Sequence, residues 1–242
     1  MGDRATSWLP PADWVPALSA RHPEFAEGIA RIGDVIAEDG AVPKPYKMLF
    51  IATIAAVKRD RELVAHFLRI ALESGLPRDQ AESAAVGVLI SRGVVPHQLL
   101  TESIAAHYGE AVEASPGGDS TEVDDLDVDA SKAYFEQYFG FIPDYIELLA
   151  NAAPKALEGY TLMRKVALDG TAMPSKYMEL LLCAVNAAEY QTRFVMIHAR
   201  GARRSGATES ELVESCLTAL PFAGVASWLP AADGIIQSRT DS

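Results

Sequence analysis

Two side chains stand out as able to move a proton, Glu179 and His198. Gln191, Phe194 and His198 are three and four residues apart, which places them along one face of a helix beginning near Gln191. Glu179 lies in the preceding helical stretch among Met178, Leu180, Leu181 and Leu182, where a carboxylate sits either at a helix surface or buried with a partner. If the two helices pack antiparallel, carboxylate and imidazole come within hydrogen-bond reach. A desolvated Glu–His pair is an acid/base couple usable near neutral pH. Each residue also has a structural alternative. A single histidine on a partly apolar helix face is commonly satisfied and structural, and Glu179 could be an ordinary solvated helix residue. Arg193 or Arg200 could hold an anionic substrate through the planar guanidinium fork, or simply cover solvated helix faces. Tyr190 and Trp228 could line a cavity or belong to the core.

Sulfur chemistry has little to work with. Cys183 and Cys216 are the only thiols, which excludes a disulfide framework and any four-cysteine zinc or iron–sulfur site. Cys183 sits in Leu182-Cys-Ala-Val and Cys216 in Glu214-Ser-Cys-Leu, settings of small apolar helix residues where a free thiol is usually buried and inert. No metal site and no organic cofactor is expected.

The elements that must position these groups are helices. The chain has 242 residues, 49% of them apolar, enough for one large core or two smaller ones without disulfides or a structural metal. Basic side chains number 21 and acidic ones 33, a formal net charge of −12. Phosphate backbones and anionic lipid would repel such a chain, so nucleic-acid and membrane-surface roles are not expected. The N-terminus has no apolar signal core and no run of 18 apolar residues occurs. Neither secretion nor membrane spanning is therefore expected, and the cytoplasm is the default location.

Residues 103–131 carry no Lys or Arg but eight acids, from Glu110 to Asp129, around Pro116-Gly-Gly118. Low hydrophobicity and charge of one sign read as a solvated linker over 108–130, separating a first unit (1–107) from a second (131–242). The two halves align at an offset of 131. Pro23, Glu27 and Gly28 fall on Pro154, Glu158 and Gly159, and Pro43, Tyr46 and Leu49 on Pro174, Tyr177 and Leu180. Arg69 falls on Arg200, Ser74-Gly75 on Ser205-Gly206, and Gly93 on Gly224. This reads as a duplication. Within the second unit, helices are expected over 154–168, 175–188, 191–204 and from the capping-box pattern Thr208-Glu-Ser-Glu211 through Ala219. The first unit repeats the plan over 24–38, 45–58, 61–74 and 78–91. No strand-like alternation occurs, and the fold class is all-α with two duplicated helical units.

The second half resembles a known family. Tyr138-Phe-Gly-Phe-Ile-Pro143, Pro154 to Gly159, Leu168-Asp-Gly170, Pro174-Ser-Lys-Tyr-Met-Glu179, His198 through Glu211 and Phe222-Ala-Gly224 resemble the carboxymuconolactone decarboxylase family, which includes the alkylhydroperoxidase D-like proteins. Residues 20–105 look like a second, worn copy. The resemblance implies an all-helical fold and assembly as trimers or hexamers; for a tandem-unit chain it implies a homotrimer. In the family's peroxidase branch a Glu, a Cys-x-x-Cys pair and a His four residues after the second Cys form a proton relay. The matching positions here hold Glu179, Gln191, Phe194 and His198, so the relay ends survive without either thiol. Dithiol peroxide reduction needs an attacking thiolate and a resolving thiol, which Gln191 and Phe194 cannot supply.

The other branch works on carbon acids without a cofactor. It implies His198 as proton donor or polarising group, Glu179 as its orienter or as base, and Arg193, Gln191, Phe194, Tyr190 and Trp228 around a small-molecule substrate. The expected activity is decarboxylation or isomerisation of a small cyclic carboxylated or carbonyl compound. The alternatives are a non-catalytic oligomeric binding or scaffold protein that has lost the dithiol, and a residual peroxidase using Cys183. In the first half, the offset of 131 sets Met48 opposite Glu179 and Phe67 opposite His198, with His66 opposite Ile197. That half would be a structural partner without the acid/base pair.

Overall fold

The computed structural model describes residues 8–10, 14–109 and 126–239, and among them every regular element is helical. The sequence-based expectation of an all-α chain holds. In order the helices are α1 (Trp14–Arg21), α2 (Pro23–Ile36), α3 (Lys44–Val57), α4 (Arg61–Glu73), α5 (Arg78–Arg92), α6 (Val94–Tyr108), α7 (Val128–Phe139), α8 (Asp144–Ala152), α9 (Pro154–Asp169), α10 (Ser175–Ala188), α11 (Thr192–Arg204), α12 (Glu209–Leu217), α13 (Leu220–Ala223) and α14 (Trp228–Gln237), with a 3-10 turn at Val225–Ser227. Most of the acidic stretch proposed as a linker, residues 110–125, lies outside the described residues.

The helix boundaries follow local chemistry. Asp60 and Asp127 cap α4 and α7 through their side chains. At α12 the expected capping box forms: Glu211 N–H donates to Thr208 Oγ1 (3.2 Å) and Thr208 N–H donates to Glu211 Oε2 (2.7 Å). The register between halves extends to whole elements. α3 and α10 begin and end 131 residues apart, as do α4 and α11, and α2/α9 and α5/α12 start 131 apart. Arg59 and Tyr190, the two non-glycine residues with positive φ among the described residues, are also 131 apart, each in the tight turn between matched helices. Tyr46 and Tyr177, again 131 apart, stack face to face with centroids 3.7 Å apart and planes at 9°.

Contacts divide the chain elsewhere than the sequence halves do. Residues before 111 and after 171 form one compact unit, and 111–171 form another. The reason lies in α3 and α10, which are buried on every side over Lys47–Ala56 and Met178–Ala188. A helix apolar around its whole circumference needs cover all round. For α10 that cover comes from α11, α12 and α14 of its own half and from α3 and α5 of the other. Two ion pairs hold α12 in this unit. Lys176 Nζ on α10 donates to Glu211 Oε1 (2.7 Å), and the fully buried Lys47 on α3 donates to Glu214 Oε2 (3.0 Å) and Val35 O (2.7 Å). The smaller unit, α7–α9, has its own core of Phe135, Ile146 and Leu157, over which Arg164 lies 4.0 Å from the Tyr138 ring. Helices α1, α6, α7, α8, α13 and α14 go beyond those expected from the sequence. α6 has apolar side chains almost all round, without a face pattern to betray it, and α7 and α8 are short.

Candidate active site

α10 and α11 form an antiparallel hairpin closed by a three-residue turn. Gln191 N–H donates to Asn186 O (3.0 Å) and Tyr190 N–H to Ala187 O (3.0 Å), with Tyr190 left-handed at φ 58°. In such a hairpin, residues equidistant from the turn face one another. Cys183 and Val195 do so near the turn, with Sγ 3.8 Å from the Val195 carbonyl, and Glu179 and His198 do so farther along. His198 Nδ1 lies 2.7 Å from Glu179 Oε2. A carboxylate only accepts, so Nδ1–H donates and the imidazole is fixed in the tautomer whose Nε2 exchanges the proton. The Glu179 side chain is 4% exposed and that of His198 13%. The pair is sheltered, with the imidazole the less covered partner.

The surrounding sequence explains the shelter. Along α11, Val195, Ala199, Gly201 and Ala202 are buried while Arg193 and Arg204 point outward, so His198 stands at the edge of the buried stripe. α14 closes over α11 at Gly234, where a Cβ would come 2.8 Å from Thr192 O and from the Val195 side chain. Only glycine lets the two backbones approach this closely.

The other candidate residues are placed differently. Gln191 is the exposed residue before α11, Phe194 is 47% exposed, and Tyr190 is exposed with its hydroxyl donating to Ala223 O (2.6 Å). Arg193 is exposed five residues before His198, which on an α-helix is about 140° around the axis. Arg200, two residues after His198, is half-buried, and Trp228 is half-buried at the start of α14. The structure thus brings Glu179 and His198 together and sets Gln191, Arg193, Phe194 and Tyr190 toward the outer, turn-proximal end of α11.

Both thiols are buried and held protonated. Burial pushes Cys183 well above the ordinary thiol range, with Cys216 and the Glu179 carboxylate adding to the effect, and burial raises Cys216 to about 12. Cys183 stands one turn from Glu179, so this thiol borders the acid/base pair, a neighbour that the four-residue spacing on α10 would have disclosed. Its protonation deprives a Cys183-based peroxidase of its nucleophile. Among the described residues no group of three or more His, Cys, Asp and Glu side chains is arranged to hold a metal ion, and no helix is long and apolar enough to cross a membrane.

In the first half the corresponding positions are apolar. Met48 and Phe67 are buried, and His66 turns away to place Nε2 3.1 Å from the Trp8 carbonyl. Phe67 meets Phe222 edge-on at 6.4 Å.

Residues 154–237 match the carboxymuconolactone decarboxylase family, within the half that carries the resemblance. A crystal structure from Burkholderia xenovorans LB400, described as that of a gamma-carboxymuconolactone decarboxylase subunit, shares the fold. It has a TM-score of 0.60 and 22% identity, over 96% of this chain and 94% of that one. No curated protein matches the chain.

Proposed function

We propose that the chain is a carboxymuconolactone-decarboxylase-like enzyme that transfers protons without a cofactor, with Glu179 and His198 as its acid/base couple. The observation that carries this reading is the 2.7 Å hydrogen bond between two side chains almost wholly withdrawn from water. In a decarboxylation, the electron pair of the breaking C–C bond passes onto the adjoining carbonyl as an enolate while CO2 departs. His198, which has first taken a proton from water onto Nε2 and so become imidazolium, then gives that proton to close the new C–H bond. Glu179 holds the imidazole in the right tautomer and stabilises the imidazolium before it gives up that proton. Isomerisation uses the same pair, with Nε2 first removing a proton and then returning it at another carbon. The substrate class is a small cyclic carboxylated or carbonyl compound. A cytoplasmic homotrimer is the assembly that accompanies this reading.

The scaffold alternative would gain if Glu179 and His198 lay more than one bridging water apart or faced bulk solvent; their direct contact and shelter give it no such support. The test is turnover across a panel of cyclic keto acids and lactone acids by the parent chain, His198→Ala and Glu179→Gln. Loss of at least a hundredfold in folded His198→Ala is expected, given the usual contribution of a general acid/base of about 10²–10⁴-fold. Equal rates in parent and folded variant would overturn the assignment.

A further inference from the structure

A cavity of about 230 Å³ lies in the first half, bounded by Trp8, Ala37, Met48 and Ile70 and rimmed by Glu38, Lys44, Arg69 and Glu73. Met48, Arg69 and Ile70 stand 131 residues before Glu179, Arg200 and Gly201. The cavity therefore occupies, in the first half, the region that borders the acid/base pair in the second. It lacks that pair, since Met48 and Phe67 replace carboxylate and imidazole.

The charges on the rim cancel in place. Lys44 Nζ is 3.2 Å from Glu38 Oε2 and Arg69 Nη1 is 2.8 Å from Glu73 Oε1, so no net field favours an ion of either sign. The remaining wall is hydrocarbon, thioether and one indole. At about 230 Å³ the space falls below the 300–1,000 Å³ typical of drug-sized pockets. It suits a small ring that can lie against an aromatic face.

Trp8 forms one wall of the cavity. Its indole rests against Gly33, where a Cβ would stand 2.3 Å from Nε1, and its carbonyl meets His66 Nε2. Yet the buried Nε1–H has no hydrogen-bond partner among the described residues, and the ring leaves the space beside it unfilled. The indole is thus packed against α2 at Gly33 on its Nε1 side and borders the cavity elsewhere.

We infer that this cavity is a second ligand site, taking a small neutral ring compound such as a cyclic ketone or lactone, and that it binds its guest without transforming it. The inference does not depend on the activity proposed for the second half. The test follows the Trp8 indole N–H resonance in the 15N-labelled full chain, assigned with Trp8→Phe, during titration with cyclohexanone, δ-valerolactone and benzoate. Saturable shifts are expected with the two neutral rings, with benzoate at least tenfold weaker. Ile70→Trp, which fills the space, should weaken neutral-ring binding at least tenfold by calorimetry. So should Trp8→Ala, which removes the wall and stands in should Ile70→Trp fail to fold. His198→Ala should leave this binding unchanged, which separates the cavity from the acid/base site. Absence of saturable shifts, binding undiminished in a folded filled or wall-less variant, or benzoate binding as tightly as the neutral rings would overturn the inference.

Discussion

The contact between Glu179 and His198 can be weighed without knowing a substrate, because the chain carries an apolar version of the same place. Met48 and Phe67 occupy the matching positions of the first half, both buried. Consider Glu179→Met, His198→Phe and the double variant. Removing the imidazole alone strips a carboxylate that is only 4% exposed of its 2.7 Å donor, a loss of about 3 kcal/mol by the standard of broken buried pairs. Removing the carboxylate alone leaves a sheltered imidazole N–H without its acceptor, at a cost of about 2 kcal/mol. If the two acted independently the double variant would lose about 5 kcal/mol. Because replacing both members of a buried pair with well-packed apolar groups is often close to neutral, the double variant should instead lose only about 2 kcal/mol, about 3 kcal/mol less than that sum. Urea unfolding of the four proteins at one protomer concentration, read as midpoint and slope, measures the coupling. Additivity to within about 0.5 kcal/mol would refute the claim that the pair interacts directly in a dry setting.

Three further outcomes follow from other contacts. Burial raises the Glu214 carboxyl, but hydrogen bonds from Val42 N–H, Ala41 N–H and Lys47 more than offset this and hold it below the usual range. Its contribution to stability is then complete above the unfolded glutamate value of about 4.3 and is lost as pH falls through the lower folded value. Glu214→Gln should accordingly flatten the acid limb of the stability–pH curve below about pH 4.3, besides costing about 3 kcal/mol at pH 7 by leaving the buried Lys47 ammonium without its counter-charge, although its bond to Val35 O remains; an unchanged acid limb would contradict this. Gly234→Ala places a methyl 2.8 Å from the Thr192 carbonyl and the Val195 side chain, and should destabilise by about 1–3 kcal/mol in denaturant unfolding. Cys183 and Cys216, both buried, should resist a thiol reagent in the native protein at pH 8 and react only on unfolding; rapid native labelling of Cys183 would reopen the thiol route.

Much of this protein is local and therefore readable along the chain. The capping box at Thr208–Glu211 and the starts of α3, α4, α10 and α11 are set by neighbours within a few residues, and the offset of 131 shows by setting one half against the other. That positions 191 and 194 hold Gln and Phe, not Cys, is read directly from the sequence. The spacing of Glu179 and His198 about a short turn already brought an acid and a base to the same height, because a tight helix hairpin leaves little freedom of register. The Lys47–Glu214 and Arg92–Asn186 contacts were not readable, since each joins residues more than ninety positions apart. Nor was it evident that α10–α14 pack with α1–α6 while α7–α9 stand as a unit of their own. Patterns of three and four residues report one helix face at a time. Which faces meet is decided by how two helices buried on all sides, α3 and α10, share their cover, and that sharing exists only in the folded chain.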